Sequence, residues 1–266
     1  MDTSAALAIA LAGCSEPGAR THNEDDLRYG REGAAWYAVV ADGAGGHRGG
    51  AEASLRAVQS LEAAVRERPP PWQPRVLSEA VMAAHAEVLR GQGGAQGHER
   101  MLTTVVALWV DAASRQALWS HVGDSRLYRL RLGVIDYRTS DDSVVQRLFD
   151  AGLLTESQRE DHPYKNQLIA ALGMSDEVDP HTVAHPVALD EGDAFLLCSD
   201  GWWGSLHEHD IADTLNNADT PEHWLRLMRE RIIERATPNQ DNFSAVALWI
   251  GDPWSSSRML ESLASQ

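Results

Sequence analysis

The chain has 266 residues, 43% of them hydrophobic, enough for one large domain or two small ones and enough to bury a core without covalent staples. Its 23 Lys and Arg stand against 39 Asp and Glu, and a net charge of −16 repels phosphate backbones and anionic lipid headgroups alike, which disfavours nucleic-acid and membrane-surface roles. No apolar run reaches the roughly 18 to 20 residues of a spanning helix, and two cysteines, Cys14 and Cys198, fit a reducing compartment better than a disulfide-built secreted scaffold.

The segment Leu11-Ala12-Gly13-Cys14 has the look of a lipoprotein cleavage box. Met1-Asp2-Thr3-Ser4, however, carries an acid and no Lys or Arg where a leader is positively charged, so Leu7 to Cys14 reads as a buried strand and the expected location is the cytoplasm. A turn-rich stretch, CSEPGARTHNED, leads to an apolar strand, Ala35 to Ala41, that ends in Asp42-Gly43. From Ala51, Leu55, Val58, Leu61 and Val65 recur at helical spacing until Pro69-Pro70-Pro71 stops the pattern. A second helix carries Leu77, Val81, Ala84 and Val88 on one face and ends in GQGGAQG, so the two form an antiparallel hairpin. Strands are predicted over Leu102 to Val110, Gln116 to Val122 and Arg126 to Arg131, then short helices and loops over 141–173. Strands at 181–189 and 193–199, an amphipathic helix at 221–235 and a last strand at 243–250 follow. Without linker or repeat this is one domain, residues 1–252, with a loosely held tail at 253–266. Strands in two blocks with helices inserted predict α+β layers, helix against sheet.

Aspartates punctuate these strands: Asp25 after the first strand and its loop, Asp42 in VVADG, Asp124 in HVGDSR, Asp200 in LLCSDG and Asp241 in NQDN. Each alone is an ordinary turn acid. The repeated pattern of apolar strand, small residue, Asp and Gly at Asp42 and Asp200 points further, because carboxylates converging at one sheet rim persist only if a cation neutralises them. Oxygen-only donors select hard ions such as Mg²⁺ or Mn²⁺. The glycine tract GAGGHRGG lacks the Lys-Ser/Thr of a P-loop and reads as the turn from strand to helix. His207-Glu208-His209 places its two imidazoles at i and i+2, which do not share a helix face, and reads as a solvated helix start. Cys198, inside an apolar strand, is core.

In this order, GARTHNED, VVADGAGGHRGGAEAS, VGDSR, LLCSDGWWG and DNFSAV resemble the metal-dependent protein phosphatases of type 2C, in their compact bacterial form, over about residues 8 to 250. The resemblance implies an antiparallel β-sandwich flanked by helix pairs on both sides, with a cleft at its rim and a small flap subdomain over about 139–176. It implies hydrolysis of phosphoserine and phosphothreonine in proteins by a water activated between two Mn²⁺ or Mg²⁺ ions. Under it Asp42 bridges the two metals, and the Gly43 carbonyl completes the second. Asp200 and Asp241 hold the first, and Asp25 anchors waters of the second. Asp124 resembles the acid that, with Asp200, holds a third and weaker metal. Arg20 sits where the family grips the phosphoryl group, a task suited to a planar fork of donors.

The expected partners are phosphorylated proteins, a bacterial Ser/Thr kinase as opponent and that kinase's substrates, met by a monomer with no nucleic acid and no membrane. Two other readings stand beside this one: a non-catalytic phosphoprotein- or cation-binding module on the same scaffold, against which the full acid set argues, and a phosphatase of small phosphoesters. Some family members carry a His directly after the first Asp-Gly to protonate the leaving oxygen. Here that place holds Ala44, and His47, three residues later, is a candidate both for that proton transfer and for capping a helix. Where the family usually has Asp-His-Ser, this chain has Asp141-Asp142-Ser143. A negative charge there is expected at the cleft entrance, repelling a phosphopeptide.

Overall fold

A computed structural model of the chain describes residues 7–44, 49–93, 100–160, 162–174 and 177–253. The strands of the first half are β1 (Ile9–Glu16), β2 (Asp26–Glu32), β3 (Ala35–Ala41), β4 (Gly43–Ala44), β5 (Leu102–Thr103), β6 (Val105–Asp111) and β7 (Gln116–Val122). Those of the second are β8 (Arg126–Arg131), β9 (Val134–Arg138), β10 (His181–Thr182), β11 (Val187–Ala188), β12 (Ala194–Cys198) and β13 (Phe243–Ile250). The helices are α1 (Gly49–Glu67), α2 (Pro74–Gly91), α3 (Val144–Asp150), α4 (Glu156–Glu160), α5 (Asp200–Trp203), α6 (Glu208–Leu215) and α7 (Pro221–Glu234).

Two antiparallel sheets form the centre, one in the order β1-β13-β12-β8-β9 and the other β10-β7-β6-β3-β2, with β11 also paired to β7. Every residue of β13 is buried, and the two-residue period of a strand divides them between two cores. Phe243, Ala245, Ala247 and Trp249 pack with α6 and α7, against Ile211, Trp224 and Met228. Val246, Leu248 and Ile250 face the opposite sheet, against Val40, Val106 and Leu108. β3 divides in the same way: Ala38 and Val40 turn to the inter-sheet core, while Tyr37, Val39 and Ala41 meet Val58, Leu61 and Leu77 of α1 and α2. The result is four layers, helix pair, sheet, sheet, helix pair, as the α+β reading requires.

Strands β3, β7, β8 and β13 keep the bounds predicted for them. The first strand runs on to Glu16 because Ser15 and Glu16 still pair with Ser244 and Phe243. The strand predicted over Leu102 to Val110 breaks at Thr104, whose N–H turns to the Asp42 carbonyl at 2.9 Å. The strand predicted at 181–189 is two short pieces, β10 and β11, both laid on β7. β2 and β9 are edge strands of polar composition, DLRYGRE and VIDYR, and carry too little apolar alternation to be read as strands. At His207-Glu208-His209 the chain starts α6: the Asp210 carboxylate accepts the His207 N–H at 2.9 Å, and the two imidazoles stack on one another. The flap leaves β9 at Thr139, carries α3 and α4, and returns through Leu168 and Leu172, which bridge to Ser143 and Thr103. Among the described residues no helix is long and apolar enough to cross a membrane. His47 and the tail beyond Pro253 lie outside the described residues.

Candidate active site

The ends of β3, β12 and β13, the β7–β8 turn and the β1–β2 loop meet at one rim around a cleft of about 400 Å³. Arg20, Asp42, Gly43, Asp124, Asp200 and Asp241 all line it. Asp25 sits beneath the lining, 8% exposed. The Ser199 hydroxyl donates to its Oδ2 at 2.8 Å, while its Oδ1 is buried without a hydrogen-bond partner.

The acids repel one another in a poorly solvated setting. Burial, with the charges of Asp200 and Asp241 adding to it, pushes the Asp25 carboxyl up to about 7. Burial also raises Asp42 well above the ordinary carboxylate range, helped by Asp25, Asp200 and Asp124. Asp124 is raised well above that range by burial and by Asp200 and Asp141, and Asp200 is raised by burial and by Asp241. Among the described residues no three His, Cys, Asp or Glu side chains are already gathered into a cage. A buried, unpartnered carboxylate oxygen and an all-oxygen donor set fit a hard divalent cation, whose charge offsets the repulsion.

Backbone clamps hold these acids in place. The Asp42 N–H donates to Thr104 Oγ1 at 3.1 Å, and its carbonyl accepts the Thr104 N–H and the Thr103 hydroxyl, both at 2.9 Å. Gly43 lies against the start of α1, where a Cβ would come within 2.3 Å of the Gly50 carbonyl oxygen. At Gly201 a Cβ would meet the Asn242 carbonyl oxygen at 2.0 Å, which seats Asp200 beside the loop bearing Asp241.

Asn242 was not among the residues singled out from the sequence, yet it organises the Arg20 loop. Its Nδ2 donates to the carbonyls of Pro17 and His22, both at 2.9 Å, and its Oδ1 accepts the Glu24 N–H at 2.8 Å. These contacts straddle Arg20 and precede Asp25, so one buried amide ties the phosphoryl-gripping candidate to the strand end that carries Asp241. The motif DN in the sequence is the only signal, and it reads equally as a turn. Asn242→Ala is expected to destabilise the protein by about 1 to 3 kcal/mol, since the loss of one buried amide removes three hydrogen bonds that hold the Arg20 loop. A melting temperature equal to the parent's would show that the clamp carries no weight.

Arg20 is half-exposed and donates from Nη2 to Asp241 Oδ2 at 2.8 Å. From the flap, Asn166 and Leu168 reach the cleft lining. The charge expected at the entrance from Asp142 is not there: Asp142 is 8% exposed and turned inward, accepting the Gly123 N–H at 2.9 Å and lying 2.8 Å from His181 Nε2. The inward turn follows from two partners, a peptide N–H and an imidazole, that hold a carboxylate better than solvent at a crowded surface.

A sandwich of this layering, with a rim of carboxylates and an arginine over it, is that of a metal-dependent phosphatase. The protein phosphatase 2C family matches residues 12–239, and the chain belongs to that family. Among its relatives, the protein phosphatase PhpP of Streptococcus pneumoniae is 32% identical over 228 residues, covering 78% of this chain and 86% of the relative. The crystal structure of the Mycobacterium tuberculosis serine/threonine phosphatase PstP/Ppp is similar with a TM-score of 0.81 at 29% identity, covering 92% of this chain and 99% of the other. The catalytic domain of PstP in complex with two manganese ions is similar with a TM-score of 0.79 at 29% identity, over 92% of this chain and all of the other.

Proposed function

We infer that the chain is a metal-dependent protein phosphatase that hydrolyses phosphoserine and phosphothreonine in proteins, with Mn²⁺ or Mg²⁺ held by the rim acids. The observation that carries this reading is the convergence of Asp42, Asp124, Asp200 and Asp241 on one cleft, above the buried Asp25 with its unpartnered oxygen. In the proposed assignment Asp42 and the Gly43 carbonyl, with Asp200, Asp241 and Asp25, serve two tightly bound ions, and Asp124 with Asp200 serves a third, weaker one. Bound divalent ions polarise the phosphoryl oxygens and activate water for in-line attack. The protein's own part is to hold the carboxylates against their repulsion and to present Arg20 at the mouth of the cleft. No nucleophilic side chain is needed, in keeping with Cys198 lying fully buried in β12.

Residues 1–252 are proposed as one phosphatase domain, acting in the cytoplasm as a monomer against a bacterial Ser/Thr kinase and its substrates. His47 is retained as the candidate for protonating the leaving oxygen. The test is Mn²⁺-dependent phosphate release from phosphothreonine peptides beside phosphotyrosine peptides and small phosphoesters. Release from phosphothreonine is expected to dominate, and a preference for small phosphoesters would overturn the protein-substrate reading. No release from any of them at saturating Mn²⁺ would favour a non-catalytic binding module.

Arg20→Ala is expected to raise KM for a phosphothreonine peptide by about tenfold or more, the worth of a charge-assisted contact, and to lower kcat less. The guanidinium contacts the phosphoryl oxygens before and during the reaction, so its loss removes binding common to both states. An unchanged KM would take Arg20 out of the substrate site.

A further inference from the structure

Four consecutive residues at the root of the flap lie along the β7–β8 hairpin, and each is fastened to one of its strands or to its turn. Thr139 exchanges two hydrogen bonds with Leu127, its N–H donating at 3.1 Å and its hydroxyl oxygen accepting at 3.0 Å. The Ser140 carbonyl accepts from His121 Nε2 at 2.8 Å. Asp141 takes the Arg126 guanidinium in a two-pronged pair at 2.7 and 2.8 Å. Asp142 clasps Gly123 from both sides, its N–H donating to the Gly123 carbonyl and its Oδ2 accepting the Gly123 N–H, each at 2.9 Å.

Gly123 is the residue before Asp124, and its φ of +100° is a conformation that only glycine adopts without strain. Nothing intrinsic to that peptide fixes its orientation, so an external clamp has to. The remaining oxygen of Asp142 lies 2.8 Å from His181 Nε2, and the His181 ring stacks on His121 of β7 at 5.0 Å. The Asp142 carbonyl meanwhile accepts the Ile169 N–H at 2.8 Å, which joins the outgoing and returning roots of the flap at this residue.

We propose that Asp142, oriented by His181, is a positioning residue that fixes the Gly123 peptide and thereby the Asp124 carboxylate, coupling the flap to that acid. The proposal rests on the reading of Asp124 as a metal-holding acid. A carboxylate suits the position because it has two acceptor oxygens for two donors, one from the turn and one from β10. The Arg126 side chain, pressed 3.4 Å over the Trp203 ring, absorbs the neighbouring charge of Asp141, and the Trp203 Nε1–H holds the Asp124 carbonyl at 2.9 Å. With the turn held by Trp203 on one side and by Asp142 on the other, the backbone that carries Asp124 into the cleft lining is fixed at both of its peptides.

The experiment compares Asp142→Ala, Asp142→Asn and His181→Ala with Asp124→Ala in the full chain. The readouts are amide hydrogen exchange at Gly123, the Mn²⁺ count at equilibrium dialysis, and kcat and KM for one phosphothreonine peptide across a Mn²⁺ titration. Asp142→Ala is expected to speed exchange at Gly123 at least tenfold and to raise the Mn²⁺ concentration for half-maximal kcat by about 10- to 100-fold, the range for partners that orient metal ligands. KM should stay within about twofold, because the clamp touches no substrate group. Asp142→Asn keeps an oxygen for the Gly123 N–H and should recover most of the loss. His181→Ala, which removes a side chain 55% exposed and so tests the clamp even if Asp142→Ala does not fold, should move the Mn²⁺ dependence the same way by less. Parental exchange at Gly123 and parental Mn²⁺ dependence in both Asp142→Ala and His181→Ala would overturn the proposal. So would a rise in KM that Asp142→Asn fails to rescue. If Asp124→Ala itself bound and used Mn²⁺ like the parent, the reading of Asp124 would fail; an impaired Asp124→Ala beside a normal Asp142→Ala would refute the clamp alone.

Discussion

Asp42→Asn is expected to lower kcat on a phosphothreonine peptide by at least about two orders of magnitude, the cost of removing a preorganised electrostatic group from an active site. The substitution isolates charge from shape. Asn is isosteric, and the Thr103 and Thr104 clamps act on the Asp42 backbone, so the end of β3 should stay where it is. What disappears is the carboxylate on which Asp25, Asp124 and Asp200 all press. Without added divalent ions, relief of that repulsion should leave the variant at least as stable as the parent, the usual relation between a strained functional site and stability. A melting temperature at or above the parent's, together with lost turnover, is therefore the expected pair of results. Turnover within a few-fold of the parent would remove Asp42 from the centre of the site.

The parts of the fold that could be read from the sequence are those in which burial alone fixes the pattern. β3 and β13 are almost wholly apolar and β7 mostly so because they lie inside the sandwich, β8 mixes Leu and Tyr with Arg, and the apolar stripes of α1 and α2 face one sheet. β2 and β9 escaped because an edge strand needs little apolar surface, and solvent can serve its outer backbone groups. Asp42, Asp124 and Asp200 were legible for a related reason: each stands just after a buried strand, β3, β7 or β12, and the apolar run announces where the chain leaves the sheet, whereas Asp25 and Asp241 precede β2 and β13 and rest on the motif order instead. Asp142 and Asn242 could not be placed in this way. Asp142 depends on Gly123 and His181, 19 and 39 residues away, and Asn242 on the loop from Pro17 to Glu24, more than 200 residues away. Side chains of these types read as turn or surface residues until the fold supplies the partners. The sign of the error at Asp142 is informative, because a carboxylate expected at the cleft entrance is instead drawn inward by two donors.

Exhaustive chelation is expected to abolish hydrolysis of an aryl phosphate down to the uncatalysed rate, and Mn²⁺ to restore it. An aryl phosphate has a good leaving group, so it reports on the rim acids and their ions with little demand on a general acid or on the flap. The same titration should raise thermal stability. Ions that bind the folded chain and not the unfolded one stabilise it by mass action, about 2.7 kcal/mol at a concentration one hundred times Kd. The gain has a structural source in Asp25, Asp42, Asp124 and Asp200, whose burial and mutual repulsion oppose folding while they are charged. Activity and melting temperature should therefore rise together with Mn²⁺ in the parent, while Asp42→Asn should lose most of both responses. Full activity after chelation would exclude metal-dependent hydrolysis at this cleft. A restored rate with no shift in melting temperature would place the ions away from the buried carboxylates, because charges neutralised there must appear in the stability of the fold.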